Sequence, residues 1–229
     1  MPSASAPKPH HPPHPHDAVD QGAATRARLL EVAGEEFARR GFHDATVRDI
    51  CKRAGANIAS INYHFGDKAG LYREVFRTAI VRFREGGKLV IPAEGTVEDR
   101  IRVFLRLFME RVTGNNHPAW APTLMMREMI EPTEALDEVV QSMIRPTFTG
   151  AAGLVAEYLG RPATDALVLR STASMIAQCV WYRHCAHIAR RLFEGTAVQG
   201  DTAHERADHI ADFSIAALAS LRDEGGNAC

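Results

Sequence analysis

The sequence is poor in cysteine and has no long apolar run. Its 229 residues contain four cysteines and no CxxC pair, so we expect reduced thiols. A membrane-spanning helix needs about 18 to 20 consecutive apolar residues, and no such run is present. The N-terminus also lacks the basic-then-apolar order of a signal peptide. We therefore expect a cytoplasmic protein with no membrane partner.

Sequence signatures of catalysis are missing as well. No GxSxG turn presents a nucleophilic serine, and no glycine-rich P-loop is present to hold phosphates. We therefore expect a protein that is not an enzyme, with no catalytic residues, no cofactor and no dedicated metal site.

Charge is unevenly distributed along the chain. Residues 24–90 hold 13 lysines and arginines against 8 acidic residues, whereas residues 91–229 hold 13 against 18. These counts give +5 and −5 within a chain of net charge −1. The basic segment suggests contact with a polyanion, with chance variation in surface charge as the alternative.

Residues 1–23 are rich in proline, alanine and histidine and hold almost no large apolar side chains. Such a segment buries too little surface to offset its ordering entropy, so we expect a disordered tail. Its cluster of His10, His11, His14 and His16 is either a metal-binding tract or a solvated one.

The remainder predicts an all-α protein. Apolar residues recur at helical spacing, most clearly in Ile101, Phe104, Leu105, Phe108 and Val112. Prolines at 122, 132, 146 and 162 divide the following stretch into shorter helices. No convincing strand-like alternation is present.

Residues 46–65, TVRDICKRAGANIASINYHF, predict two short helices joined by a tight turn at Gly55. Thr46 is the expected N-cap of the first helix, with Asp49 near its positive end. The apolar side chains are expected to point into the angle between the helices; they are Val47, Ile50, Ala54, Ile58 and Ile61.

The outer face of the second helix is then polar, formed by Asn57, Ser60, Asn62, Tyr63 and His64. Such side chains suit base edges and phosphates in a major groove. The flanking cations suit the phosphate backbone; they are Arg48, Lys52, Arg53 and Lys68. The alternative is a helical hairpin of a bundle with a solvated polar face.

Residues 25–76 resemble the DNA-binding domain of the TetR family of repressors. The shared landmarks are Phe37, Gly41-Phe42, Thr46-Val47, Ile50, Ala54-Gly55, Tyr63-His64-Phe65, Lys68 and Leu71. The resemblance implies an N-terminal three-helix helix-turn-helix domain over residues 24–72. A fourth helix to about residue 88 then connects this domain to a helical ligand-binding and dimerisation domain over residues 89–229.

By this resemblance, Thr46 and Lys68 would hold phosphates at two helix N-termini, while Asn57, Ser60 and Asn62 would face bases. The sequence departs from the family at one position. The usual tyrosine stands three residues before the phenylalanine, where this chain has Asn62. Its phosphate contact would pass to Tyr63 or His64, and Asn62 would instead reach a base.

The second half resembles the C-terminal domain of the CecR-like subgroup, most clearly over NNHPAWAPTLMMREMIEPTEALDEVVQSMIRP. Together the two resemblances imply a dimeric repressor that binds a palindromic operator in double-stranded DNA and is released by a small-molecule effector. The alternatives are an all-helical structural or interaction protein without DNA binding, and a metal- or redox-responsive regulator.

Large soft side chains of the second half are candidates for an effector pocket, with ordinary core packing as the alternative for each. The predicted pocket comprises Phe104, Phe108, Trp120, Met125, Arg127, Met129, Met175 and Cys179. Arg127 and Glu128 are either a buried ion pair that reads a polar group of the effector or a surface salt bridge.

Two long helices, over about 163–193 and 202–222, are expected to form the dimer interface as a four-helix bundle across a two-fold axis. The apolar stripe of the last helix comprises Ile210, Phe213, Ala217 and Leu221.

The metal and redox alternatives rest on few residues. Cys179, His184, Cys185 and His187 include neutral ligands at suitable spacing but no evident set of four. Cys51 would be a redox sensor if Lys52 or Arg53 favoured its thiolate, and otherwise is a buried, unreactive thiol.

Overall fold

The computed structural model describes residues 15–85, 89–114 and 117–226. Secondary structure within these ranges is helical, without a strand. A π-helical segment, Val140–Ile144, separates α7 from α8. The helices are α1 (Pro15–Asp44), α2 (Val47–Ala54), α3 (Ile58–Phe65), α4 (Lys68–Glu85), α5 (Val97–Thr113), α6 (Ala121–Ile130), α7 (Ala135–Val139), α8 (Arg145–Leu159), α9 (Ala166–His184), α10 (Ala186–Leu192) and α11 (Ala203–Gly226).

The ends of the short helices follow from local capping. The Thr46 hydroxyl accepts a hydrogen bond from the Asp49 amide at 3.1 Å, which confirms Thr46 as the N-cap of α2. Gly55 ends α2 with left-handed backbone angles (φ 59°, ψ 38°) that a glycine adopts without steric cost. Pro122 lies in the first turn of α6, where the missing amide hydrogen costs nothing, and Pro146 lies at the start of α8 directly after the π-helical segment.

The chain forms two compact units, Met1–Val75 and Phe76–Cys229, with the division inside α4. The core of the first unit is centred on Phe37, whose ring meets Tyr72 edge-on with 4.8 Å between ring centres. Apolar residues of all four of its helices are buried around that pair; they are Leu29, Leu30, Ala33, Ile50, Ala54, Ile61, Leu71 and Val75.

The second unit packs α5 against α11, with α8 and α9 completing the core. The predicted stripe of α5 is confirmed, since Ile101, Phe104, Leu105 and Phe108 are buried. Residues of the neighbouring helices that meet this stripe include Ala151, Leu154, Val155, Val168, Met175, Cys179, Ala207, Ile210 and Leu218. No helix in the described ranges is both long and apolar enough to cross a membrane.

The predicted disordered tail over residues 1–23 is wrong from Pro15 onward, because α1 begins there. Once the body of a helix has formed, each added residue gains a hydrogen bond without a new nucleation cost. Thr25 supports this extension by donating its hydroxyl to the Gln21 carbonyl at 2.8 Å. Residues 1–14, including His10, His11 and His14, lie outside the described residues.

One predicted helix boundary differs from the structure, and another falls outside the described residues. The helix expected over 163–193 is divided at Cys185, whose backbone angles (φ −99°, ψ 17°) separate α9 from α10. Neither a glycine nor a proline marks this bend, so local sequence rules miss it. The fourth helix was expected to reach about residue 88, and α4 ends at Glu85, with residues 86–88 outside the described ranges.

Candidate functional site

The outer face of α3 is open and carries hydrogen-bonding groups. Ile61 is buried beneath the helix, whereas Asn62 is exposed and Tyr63 leaves 85% of its surface accessible. Ala59 is exposed and Ser60 is half-buried. Because successive helix residues turn by about 100°, Ala59 and Tyr63 lie side by side at the centre of this face.

Ile58 does not point into the angle between α2 and α3, as the sequence pattern suggested. It is 48% exposed. Three residues span about 300° of helix, so Ile58 is turned about 60° away from buried Ile61 and toward the outer face.

Asn57 and His64 lie at the edges of the outer face of α3, which is predicted to contact DNA bases. Asn57 precedes α3 as its N-cap, and its side-chain oxygen accepts from the Ala59 amide at 3.0 Å. The side-chain NH₂ group of Asn57 therefore remains as its donor. His64 is half-buried, with its ring 4.9 Å from Tyr63 and 5.9 Å from Phe65. Tyr63 is the more accessible of the two candidates for the phosphate contact.

The predicted phosphate-binding side chains are placed differently from one another. Arg48 is exposed on α2, whereas the Thr46 hydroxyl is engaged with Asp49. It accepts from the Asp49 amide, and its side-chain hydrogen bond lowers the pKa of the Asp49 carboxyl. Lys68 instead reaches back to the end of α1. Its ammonium donates to the His43 carbonyl at 3.1 Å and lies 4.8 Å from the centre of the Phe42 ring.

Burial lowers the pKa of Lys68, and nearby Asp44 partly opposes that shift. Lys68 therefore helps to hold the end of α1 against the start of α4. Its two remaining N–H groups are the ones that a phosphate can use. The start of α4 is further fixed by Asp67, whose carboxylate accepts from the Gly70 amide at 2.7 Å, as the side chain of a helix N-cap does.

Arg53 was predicted as a cation for the phosphate backbone. In the structure it forms ion pairs with carboxylates of the first unit. It donates to Glu35 and, at 2.9 Å, to Glu36, whose side chain is fully buried. Arg39 and Arg40 also pair with Glu36. Burial raises the pKa of Glu36, but the hydrogen bonds from Arg39 and Arg53 outweigh burial and hold it below its usual range.

Cys51 lies in the core of the first unit rather than at its surface. Burial raises the pKa of its thiol, so Lys52 and Arg53 do not favour the thiolate. The redox-sensor alternative for Cys51 is therefore wrong, and the buried, unreactive thiol describes this residue.

A cavity of about 210 Å³ lies within the second unit. It is lined by α4, α5, α6, the π-helical segment, α8 and α9. Of the predicted effector-pocket residues, Phe108, Met125 and Met129 line it. The remaining lining residues are Phe83, Arg111, Val112, Pro122, Met143, Ile144, Thr147, Phe148, Ile176, Val180, Arg183 and His184.

The other predicted pocket residues do not line this cavity. Phe104, Met175 and Cys179 face the core that α5 shares with α8, α9 and α11, because they lie on other faces of their helices. Trp120 is buried at the start of α6, and Arg127 is half-buried away from the cavity.

Neither Arg127 nor Glu128 is among the residues that line the cavity, so the expectation that this pair reads a polar group of the effector there is wrong. Glu128 is fully buried and accepts from the amide and hydroxyl of Thr133, at 2.7 and 2.9 Å. It therefore fixes the turn that follows α6.

Sequence reasoning missed the polar residues of the cavity, although a signal for them exists. Arg111 follows Phe104 and Phe108 by seven and three positions, so it continues the apolar stripe of α5. Arg183 and His184 follow Ile176 on α9 by seven and eight positions. A cation on the inner stripe of an amphipathic helix is therefore the pattern that marks this site.

The predicted dimer stripe of α11 divides into two sets. Ile210 is 1% exposed and lies in the core shared with α5, so its assignment to a partner surface is wrong. Phe213 is 60% exposed and Ala217 is also exposed. With half-buried Leu221, these two side chains line a surface groove between α9 and α11.

The metal alternative gains no geometric support from the part of the chain that the structure describes, where no three His, Cys, Asp or Glu side chains cluster to hold an ion. Burial raises the pKa of Cys179 to about 12. Burial and Arg183 together lower the pKa of His184, so that imidazole is neutral near neutral pH.

Comparison with known families assigns both halves of the chain. Residues 29–75 match the family described as bacterial regulatory proteins, tetR family. Residues 97–218, more than half of the chain, match the C-terminal domain of the HTH-type transcriptional dual regulator CecR.

Individual relatives agree with this assignment. The HTH-type transcriptional dual regulator CecR of Shigella flexneri is 25% identical over 174 residues, covering 71% of this chain and 77% of that protein. The uncharacterized HTH-type transcriptional regulator YdgC of Bacillus subtilis is 38% identical over 65 residues, covering 28% of this chain and 33% of its own length.

Solved structures share the fold. A TetR-like transcriptional regulator from Rhodococcus sp. RHA1 superposes with a TM-score of 0.60 at 17% identity, covering 86% of this chain and 97% of that one. A tetR-family regulator from Streptomyces coelicolor gives 0.54 at 18% identity, covering 87% and 82%. Both confirm the predicted arrangement of an N-terminal helix-turn-helix followed by a helical domain.

Family membership also confirms that this protein is not an enzyme, since these relatives are transcriptional regulators. The two family matches agree with the structure, in which α2 and α3 are short capped helices joined by a turn at Gly55. The chain belongs to the TetR family of DNA-binding transcriptional regulators and carries a C-terminal domain of the CecR type.

Proposed function

We propose that this protein is a transcriptional repressor that binds a palindromic operator as a homodimer and is released by a small-molecule effector. The observation that carries the proposal is the open outer face of α3. It presents Asn62 and Tyr63 to solvent on a helix whose opposite side is anchored by Ile61.

The outer face of α3 suits both base reading and phosphate contact. The Asn62 amide offers the donor and acceptor pair that matches the major-groove edge of adenine, and Ala59 offers a methyl group for thymine. Tyr63, with its hydroxyl on an 85% exposed ring, takes the phosphate contact that the family assigns to a tyrosine one position earlier. Exposed Arg48 adds a cation for the backbone.

The proposed dimer uses the outer surfaces of α9 and α11. Phe213 is 60% exposed beside the groove between these helices, and Leu169 on α9 is 39% exposed. Large apolar side chains clustered on one face are a hazard for an isolated monomer, and a second copy of the chain would cover them. Two copies can place their α3 helices about 34 Å apart, one turn of DNA, as a palindromic site requires.

The cavity of the second unit is the proposed effector site. An effector that favours one separation of the two α3 helices in the dimer changes operator affinity. By linkage, the operator changes effector affinity by the same factor. Met125, Met129 and Met143 give the cavity adaptable walls.

Selection of bound sequences from random double-stranded DNA by the full chain tests the proposal. We expect an enriched palindrome, and a mobility shift with that DNA that Tyr63→Ala strongly reduces. Thr123→Ala, at an exposed position of α6, is the control and should bind like the wild type. No enriched sequence, or equal binding by both variants, would contradict operator recognition through α3.

Transcription in vitro from a promoter that carries the selected site separates repression from activation. We expect fewer transcripts with the wild-type protein and no change with Tyr63→Ala. A rise in transcripts would assign activation instead, and would leave DNA recognition by α3 intact.

A further inference from the structure

The cavity of the second unit combines an apolar body with a cationic edge. Its apolar walls come from the π-helical segment and from helices before and after it, with Phe108, Met125, Met143 and Phe148 among them. Three basic side chains also line it, and these are Arg111, Arg183 and His184. All three are half-buried.

Among the described residues, no carboxylate neutralises the two guanidinium groups. Across residues 15–85, 89–114 and 117–226, no carboxylate forms an ion pair with Arg111 or Arg183. Burial lowers the pKa of both arginines, and Arg84 adds a further positive charge near Arg111. Arginine remains protonated in proteins, so the cavity holds positive charge that burial makes unfavourable.

Three acidic residues of the second unit form other contacts. Glu110 pairs with His204 at 2.8 Å, and Glu138 pairs with Arg77 at 2.6 Å. Glu128 is bonded to Thr133. Folding therefore places arginines against the cavity without bringing these carboxylates to them.

We infer that this cavity binds a small amphipathic anion, with Arg111 and Arg183 pairing with the anionic head and the methionine and phenylalanine walls holding the apolar body. Neutral His184 lies beside Arg183 as a hydrogen-bonding group for the same head. The inference rests on the proposed function in assigning this ligand as the effector.

The chemistry of the walls defines the ligand class. Guanidinium pairs well with carboxylate and phosphate oxygens, with two parallel hydrogen bonds to each. A cavity of about 210 Å³ lies below the usual range of about 300–1,000 Å³ for ligand pockets, which favours a short chain or single ring over a long lipid. An organic cation is excluded by the two arginines, and a fully polar anion would leave the apolar walls unmatched.

Calorimetric titration of the full chain with four probes of similar length tests the inference. The probes are octanoate, hexyl phosphate, octanamide and octylamine. We expect octanoate or hexyl phosphate to bind about tenfold or more tightly than octanamide, and octylamine not to bind. The stronger of the two anions identifies the head group as carboxylate or phosphate. Equal affinity for octanoate, hexyl phosphate and octanamide would overturn the anion assignment, and no binding of any probe would overturn the ligand site.

Variants of Arg111 and Arg183 test whether these two side chains produce the preference for anions. Arg111→Met and Arg183→Met remove the guanidinium but keep an unbranched apolar side chain close to the length of the aliphatic part of arginine. Each variant should therefore lose the preference for the anions while retaining octanamide binding. Arg161→Met removes an arginine that pairs with Asp165 outside the cavity and should keep the preference. Unchanged anion preference in both cavity variants would place the anion elsewhere and overturn the inference.

Melting of the ligand-free proteins separates a binding role from a structural one. Removing a partly buried positive charge without a partner should leave the Tm of Arg111→Met equal to or above that of the wild type. A clear fall in Tm would indicate that the arginine stabilises the fold and would count against the inference.

Operator release is measured separately with the selected DNA. An anion that binds the wild type and weakens the mobility shift supports both the inference and the proposed function. An anion that binds with the expected selectivity, yet leaves the shift unchanged, supports the inference and overturns the effector role.

Discussion

Arg53 of α2 donates to the carboxylate of Glu36 on α1 at 2.9 Å, and the Glu36 side chain is fully buried. The same carboxylate also accepts from Arg39 and Arg40 of its own helix. A buried carboxylate held by three arginines fixes α2 on α1. The direction in which α3 leaves α2 depends on that contact.

Glu36→Gln should destabilise the first unit by about 1–3 kcal/mol, because charged hydrogen bonds at a buried group are replaced by neutral ones. Glu35→Gln is the matched control, since Glu35 is exposed and bonds the same arginine. It should cost less than about 1 kcal/mol. Chemical denaturation followed by circular dichroism measures the free energy of unfolding of both variants. Equal losses of stability would show that burial does not increase the contribution of Glu36.

The pKa of Glu36 is held below its ordinary value of 4.5, so the folded state binds its proton less readily than the unfolded state. Its contribution to stability is therefore complete above that ordinary value and is lost as pH falls through the lower, folded-state pKa. We expect the free energy of unfolding to fall below about pH 4.5 more steeply in the wild type than in Glu36→Gln. The same pH dependence of the free energy of unfolding in both proteins would contradict the lowered pKa of Glu36.

Asn62→Ala and Arg48→Ala should weaken operator binding in different ways. Loss of a base contact should cost about 1–3 kcal/mol at one operator position and relax the base preference there. Loss of a phosphate contact should weaken binding to every sequence and lower the salt slope by about one unit. Selection profiles and salt titrations distinguish them. An unchanged base preference for Asn62→Ala would mean that this side chain does not read a base.

Phe213→Glu should convert the proposed dimer to a folded monomer. The side chain is 60% exposed within one chain, so a carboxylate there is tolerated in the monomer, but would be buried without a partner in the proposed interface. Ile130→Glu is the control, at a 71% exposed position of α6. Sedimentation gives the mass, and circular dichroism gives the helix content. A Phe213→Glu protein that still sediments as a dimer would place the interface elsewhere.

Thiol alkylation should follow burial. Cys179 has a pKa raised to about 12, and Cys51 is also buried, so iodoacetamide at about pH 8 should leave both unmodified in the folded protein. Half-buried Cys185 should react first among these three. Peptide mass spectrometry before and after denaturation identifies each site. Rapid labelling of Cys179 in the native protein would contradict its burial and would support the metal-responsive alternative.

The local sequence was sufficient for the two ends of α2 and for the start of α4. Thr46, Gly55 and Asp67 each act on backbone groups within a few residues, so capping positions are visible in the chain itself. The same holds for the stripe of α5, whose buried residues repeat at helical spacing. Local pattern and structure therefore agree where the governing contacts are short-range.

Helical periodicity also indicates that a face is buried, but not which element covers it. Ile210 and Phe213 both belonged to the predicted interface stripe, yet packing on α5 buried Ile210 and left Phe213 exposed. Phe104 and Phe108 are similarly close in sequence, and only Phe108 lines the cavity. A turn of about 100° per residue separates such positions only after the neighbouring helices are placed.

The sequence by itself determined the helical class, the capped ends of α2, the start of α4 and the family of this protein. Tertiary structure alone decided that Arg111 of α5 and Arg183 of α9 share one cavity, and that Lys68 and Arg53 serve contacts within the first unit. The physical reason is the distance along the chain over which each interaction acts. Capping and periodicity act within one or two helical turns, whereas a cavity and a buried ion cluster arise from helices that are distant in sequence and meet only on folding.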